Sequence, residues 1–219
     1  MSAVRQSRDA RRDQIARAVL QLATESGMSS VSVAAVAARV GVTPSALYRH
    51  YPSKDAMLDE TLQRIERGVL ANLESARGRN ADALMALGRL FDRHVALIRE
   101  NRGIPLVMFS EDFFHDRRRR RRLRALVTAF RAGIEALVRA GQRQGRVRRG
   151  LDPATASLMF FGLFQAPAIL WHLGGARTDL IGPARRAWAV FRLGIRAPGP
   201  PAFHGRPTAR RTRTQETPE

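Results

Sequence analysis

The stretch from Ser32 to Lys54, SVAAVAARVGVTPSALYRHYPSK, leaves few ways for a chain to fold. Val33, Val36, Ala37 and Val40 recur at the i, i+3, i+4, i+7 positions of one helical face. Ser32 stands just before that face, where its hydroxyl can accept an orphan backbone N–H. Gly41 follows it, where a left-handed residue closes a helix most easily. Thr43-Pro44 then restarts a helix, with threonine as cap and proline at the first helical position. Tyr51-Pro52 ends this second helix after Pro44–His50, because the residue before a proline is driven out of the α region. Ser53 can cap a third helix from Lys54 onward. The spacing predicts a helix-turn-helix over 32–51. Two amphipathic helices around a glycine also occur in plain bundles, which is the competing structural reading.

The second helix divides by face. Leu47 and Tyr51 are four apart and can pack inward, while Pro44, Ser45 and Tyr48 fall on another side. In a helix-turn-helix, the leading residues of such a helix meet base edges in the major groove and the preceding helix braces it. Thr43 can then offer its hydroxyl and the helix N-terminus to a phosphate. Pro44, Ser45 and Ala46 are small enough to let the helix sit deep, within reach of a thymine methyl or a base edge. Tyr48 can donate to a phosphate or lie on a sugar; its other reading is a core tyrosine. His50 and Lys54 are further phosphate candidates and Ser32 another, whereas Arg49 can simply be solvated.

GVTPSALYRHYPSKDAML also resembles the signature of the TetR family of bacterial regulators. Upstream, Ile15, Ala18, Leu22, Glu25 and Gly27 match that family's first helix, and Ser32-Val33 with Val36-Ala37 its second. The departures are mild: Ala23 stands where an aromatic is common, Tyr51 where Phe is usual, and Val36 where Ile is usual. The resemblance implies an all-α chain with an N-terminal three-helix head and a larger helical-bundle regulatory body. It supports DNA-contact roles for Thr43, Tyr48, His50 and Lys54. It further implies a homodimer on a near-palindromic double-stranded operator, most often a repressor, released by a small and largely hydrophobic inducer. On this basis 9–69 is expected to be the DNA-binding domain and 70–196 the ligand-binding and dimerisation domain, while the residues themselves predict a flexible basic arm over 1–8 and, with prolines and no apolar periodicity, a disordered tail over 197–219.

The body reads as a series of amphipathic helices without a strand pattern or a repeat. Ala81–Glu100 carries Leu84, Leu87, Leu90, Phe91, Val95 and Ile98 inward; Ile104–Phe114 is short and aromatic; Leu123–Gln142 is long. Between the last two lies Arg117–Arg122, six like charges that read as an exposed turn or a helical first turn, with Glu111, Asp112 or Asp116 as neutralising partners. Ala154–His172 is apolar nearly all round and predicts burial on two sides, one of them against a second subunit. The dimer contact is therefore expected through 154–172 and 184–195. Phe91, Phe109, Phe113, Phe130, Phe160 and Phe164 could line an inducer pocket with His94 or Gln165 as polar anchor, though aromatics at helical spacing also make ordinary core.

Charge enters the argument weakly. The 219 residues carry a formal net charge of +19, which favours phosphate backbones or anionic surfaces. Yet Lys54 is the only lysine, so arginine usage is biased chain-wide, and much of the excess lies outside 32–54. A peripheral protein meeting anionic membrane through a basic tail is one weaker reading; a helical module that sequesters small molecules is another. There is no cysteine and hence no thiolate site. No secretory h-region opens the sequence and no apolar run spans a bilayer comfortably, so a cytoplasmic protein without membrane contact is expected. None of His50, His94, His115, His172 and His204 pairs with another at i+3 or i+4, and no P-loop or nucleophile elbow is present. No catalytic residue, metal or cofactor is expected.

Overall fold

The computed structural model describes residues 2–77, 82–174 and 179–198, with side chains in the first helix from residue 9. It is all-α. The helices are α1 (Ser2–Ser26), α2 (Val33–Val40), α3 (Pro44–Tyr48), α4 (Lys54–Ala76), α5 (Ala83–Glu100), α6 (Gly103–Met108), α7 (Glu111–Phe114), α8 (Arg117–Arg143), α9 (Pro153–Leu173) and α10 (Ile181–Ile195), with a 3-10 turn at Met28–Ser30. Among the described residues the one β pairing is an isolated bridge between Val147 and Arg196. The tail beyond Pro198 lies outside the described residues.

Two boundaries differ from expectation, and a third decides between two readings. The backbone of α1 is helical from Ser2, so residues 2–8 extend the first helix where the sequence predicts an arm. The aromatic segment after Gly103 is two short helices, because the chain turns at Phe109-Ser110. Of the two readings of the arginine run the helical one holds, since it forms the first turn and a half of α8. Asp116 caps it, accepting the Arg119 N–H at 2.6 Å, and this bond holds the Asp116 carboxyl below its ordinary range.

The head forms where α1, α2 and α3 close on the start of α4, burying Ile15, Val19, Val36, Leu47, Met57 and Leu58. The body packs α5, α8, α9 and α10 around Phe91, Phe130, Phe160 and Phe164. One hydrophobic core runs continuously through both. The 23-residue α4 joins them, antiparallel to α5: Arg64 bonds Asn101 near one end, and Asn72 bonds the Arg93 carbonyl further along. By length and composition α9 could cross a membrane. Here one side of it packs on α8 and α10, burying Phe160, Phe164 and Trp171.

Candidate nucleic-acid interface and the cavity behind it

Local bonds build the head's outer surface. Ser32 accepts the Ala35 N–H at 3.1 Å and starts α2. Gly41 takes φ 71°, and the Val42 N–H returns to the Ala37 carbonyl at 3.0 Å, closing the helix and turning the chain. Thr43 accepts the Ala46 N–H at 3.2 Å and Pro44 occupies the first position of α3. Leu47 anchors this short helix in the core, and Tyr51, just past its end, is buried too; burial raises the Tyr51 phenol, with nearby Glu60 adding to the rise. The opposite side stays open. Thr43, Pro44, Ser45, Arg49 and His50 are exposed, Ala46 is half-buried, and Tyr48 is 51% exposed. A capped helix start, small residues and an aromatic hydroxyl thus share one exposed edge of α3, and Ser32 is exposed at the start of α2. A B-DNA major groove is wide enough to admit a helix exposed in this way.

The comparisons decide the family. A model described as bacterial regulatory proteins of the tetR family matches residues 15–61, and one described as a tetracyclin repressor-like C-terminal domain matches 81–176. The chain belongs to the TetR family. The nucleoid occlusion factor SlmA of Marinobacter nauticus is 26% identical over 147 residues, covering 67% of this chain and 74% of that protein. The TetR-family regulator PfmR from Thermus thermophilus is 25% identical, with TM-score 0.69 over 86% of this chain and 97% of that one. FadR from Bacillus subtilis, solved with stearoyl-CoA, shares the fold at 18% identity and TM-score 0.69, over 84% and 98% of the two chains. TetR-family members are DNA-binding transcription regulators, not enzymes, and act as dimers.

In this TetR-family chain Lys54 sits apart from the open edge. Its ammonium donates to the Met28 carbonyl at 3.2 Å and to Asp112 Oδ2, on α7 of the body, at 3.0 Å. The arginine run extends that connection. Arg119, nearly fully buried, pairs with Asp55 at 2.6 Å and Asp59 at 3.7 Å and donates twice to the Asp112 carbonyl. Arg118 reaches Asp59 and Arg122 reaches Glu66. A stripe of carboxylates on α4 is thereby clamped by a stripe of guanidiniums on α8. Of the partners expected for the arginines, Asp116 caps their helix, while the main pairing goes to α4.

A cavity of about 40 Å³ lies behind this clamp, between α4, α5, α6, α8 and α9. His94, Phe109, Phe130, Phe164 and Gln165 are in its wall. Phe91, Phe113 and Phe160 are not. Phe91 stacks on Trp188 with centroids 5.4 Å apart, Phe160 packs edge-on against both, and Phe113 lies under Arg119. Sequence reasoning missed the wall contributed by α6, namely Ile104, Pro105 and Met108. It also missed Gly103, which opens α6 against α1: a Cβ there would overlap the Leu20 carbonyl. Ordinary aliphatics next to a glycine carry no signal beyond that of core. His94 is buried in the cavity wall, and burial pushes its imidazole down to about 4.

Proposed function

We propose that the chain is a ligand-responsive repressor, binding a near-palindromic operator as a homodimer and released by a small, largely hydrophobic molecule. The observation that carries this reading is α6. Its first residue rests directly on the head helix α1, and its middle and end line the apolar cavity. A molecule that enlarges the cavity against Ile104, Pro105 and Met108 pushes on the head. The same displacement reaches Lys54 through Asp112, just beyond α6. A coupling of about 1–3 kcal/mol between cavity and operator suffices for a response.

Thr43, Pro44, Ser45, Ala46 and Tyr48 supply the groove contacts in this reading, with Ser32 and His50 on flanking phosphates. Lys54 reaches a phosphate when its pair with Asp112 opens. The exposed face of α9 and α10 supports dimerisation: Leu158, Met159, Ile169, Leu170, Val190 and Leu193 all face outward. Two heads held this way address half-sites about one helical turn apart or a multiple of it. The test is binding to a duplex from the chain's own upstream region at two salt concentrations, with Tyr48→Ala as control. Sequence preference lost in the variant supports the reading; binding that is purely salt-driven and unchanged by the variant sinks it.

The likeness to SlmA favours a second reading, a nucleoid occlusion factor. Mapping the bound sites along a chromosome separates the two. A few promoter sites favour the repressor, and a broad distribution favours occlusion.

A further inference from the structure

The cavity wall holds two polar side chains, His94 and Gln165, in a lining otherwise aliphatic and aromatic. Among the described residues no charged side chain contributes to it. His94 lies between Phe130 and Phe164, with ring centroids 4.8 and 4.2 Å away, and is buried. Its Nδ1 is buried without a hydrogen-bond partner among the described residues. A buried ring nitrogen left unpaired is destabilising, and such exceptions in a core call for a physical reason.

We infer that the molecule taken by this cavity is uncharged, largely apolar, and carries a hydroxyl that hydrogen-bonds the His94 imidazole. The inference rests on the effector reading above and adds the ligand's chemistry to it. A hydroxyl both donates and accepts, so it satisfies a neutral imidazole in either tautomer. A carboxylate or phosphate would enter a wall with no cation to meet it, and an ammonium would find no carboxylate. Burial keeps the imidazole neutral, so it does not supply the missing cation. Gln165, in the same lining, offers a further donor and acceptor.

The space present is smaller than a drug-sized site, which spans about 300–1,000 Å³. Entry therefore displaces part of the wall. The side able to give is the α6–α7 corner, where Met108 is unbranched and flexible and Phe109 is already half in solvent. The hydroxyl anchors one end of the ligand at His94 while its apolar end moves this corner.

Three probes of one skeleton test the inference: 4-butylphenol, butylbenzene and 4-butylbenzoate, each displacing an environment-sensitive dye from the full-length protein at pH 8. The phenol should bind about tenfold more tightly than the hydrocarbon, and the benzoate more weakly than either. His94→Phe keeps a ring between Phe130 and Phe164 and should bring the phenol down to the hydrocarbon's affinity. Benzoate binding as tightly as phenol, or a phenol preference that survives in the variant, overturns the inference while leaving an effector cavity in place. If none of the three binds and operator affinity is untouched, both the inference and the effector reading fall. Should the variant not fold, the imidazole nitrogen resonances of His94 in the unaltered protein decide. They should shift on saturation with 4-butylphenol and not with butylbenzene, and an unchanged spectrum counts against the anchor.

Discussion

Tyr48 and Leu47 are neighbours in sequence with opposite surroundings. Leu47 is buried, so Leu47→Ala should cost about 2–5 kcal/mol and loosen the head. Tyr48→Ala removes a half-exposed ring and should change unfolding free energy by no more than about 0.5 kcal/mol while operator affinity falls. Urea unfolding beside a DNA-binding titration checks the pair. His94 makes a different prediction. Its imidazole titrates near 6.5 in the unfolded chain and at about 4 in the fold, because burial disfavours the charged form. Between those values the unfolded state holds more protons, so stability falls as pH drops from about 6.5 toward 4 and then levels off. The shift corresponds to about 3 kcal/mol for this group. Unfolding midpoints measured across that range should fall less steeply in His94→Phe than in the unaltered protein.

Helix starts were legible because a cap is a local event. Ser32, Thr43, Ser53 and Asp152 each bond a backbone N–H within three residues, and sequence spacing is all that such a bond needs. Pairing between helices was not legible. Asp55, Asp59 and Glu66 fall on one face of α4, and the arginine run looked like an awkward cationic first turn. Nothing local says that these two stripes meet, because the contact depends on how α4 and α8 cross. The cavity was half legible for the same reason: its aromatic and polar wall stood out, whereas Ile104, Pro105 and Met108 resemble any core aliphatics. Two tests belong to this scale. Arg119→Met leaves Asp55 and Asp59 without their buried partner and should lower stability by about 3 kcal/mol, read by thermal or urea unfolding. Gly103→Ala forces α6 away from the Leu20 carbonyl and should cost about 1–3 kcal/mol. If α6 carries the signal, operator affinity in that variant should also respond less to a cavity ligand.

Dimerisation is a property of the whole molecule. Leu170 and Leu193 are exposed on α9 and α10, and nothing among the described residues covers so much outward leucine. Leu170→Arg with Leu193→Arg should convert a dimer to a monomer in sedimentation velocity and weaken operator binding far more than any single head contact does, because the two heads no longer bind as a linked pair. A monomeric starting protein would refute the assignment of this face. The Val147–Arg196 bridge and the bond from the Ala197 N–H to the Arg146 carbonyl fasten the end of α10 to the loop before α9. That loop sits by Asp82 and Ala83, where α5 begins, level with the far end of α4. A helix of 23 residues is about 35 Å long. On the proposed reading, a fluorophore or affinity handle attached after Pro198 therefore starts from the pole opposite the duplex, and immobilising the protein by that end should leave both heads free to bind.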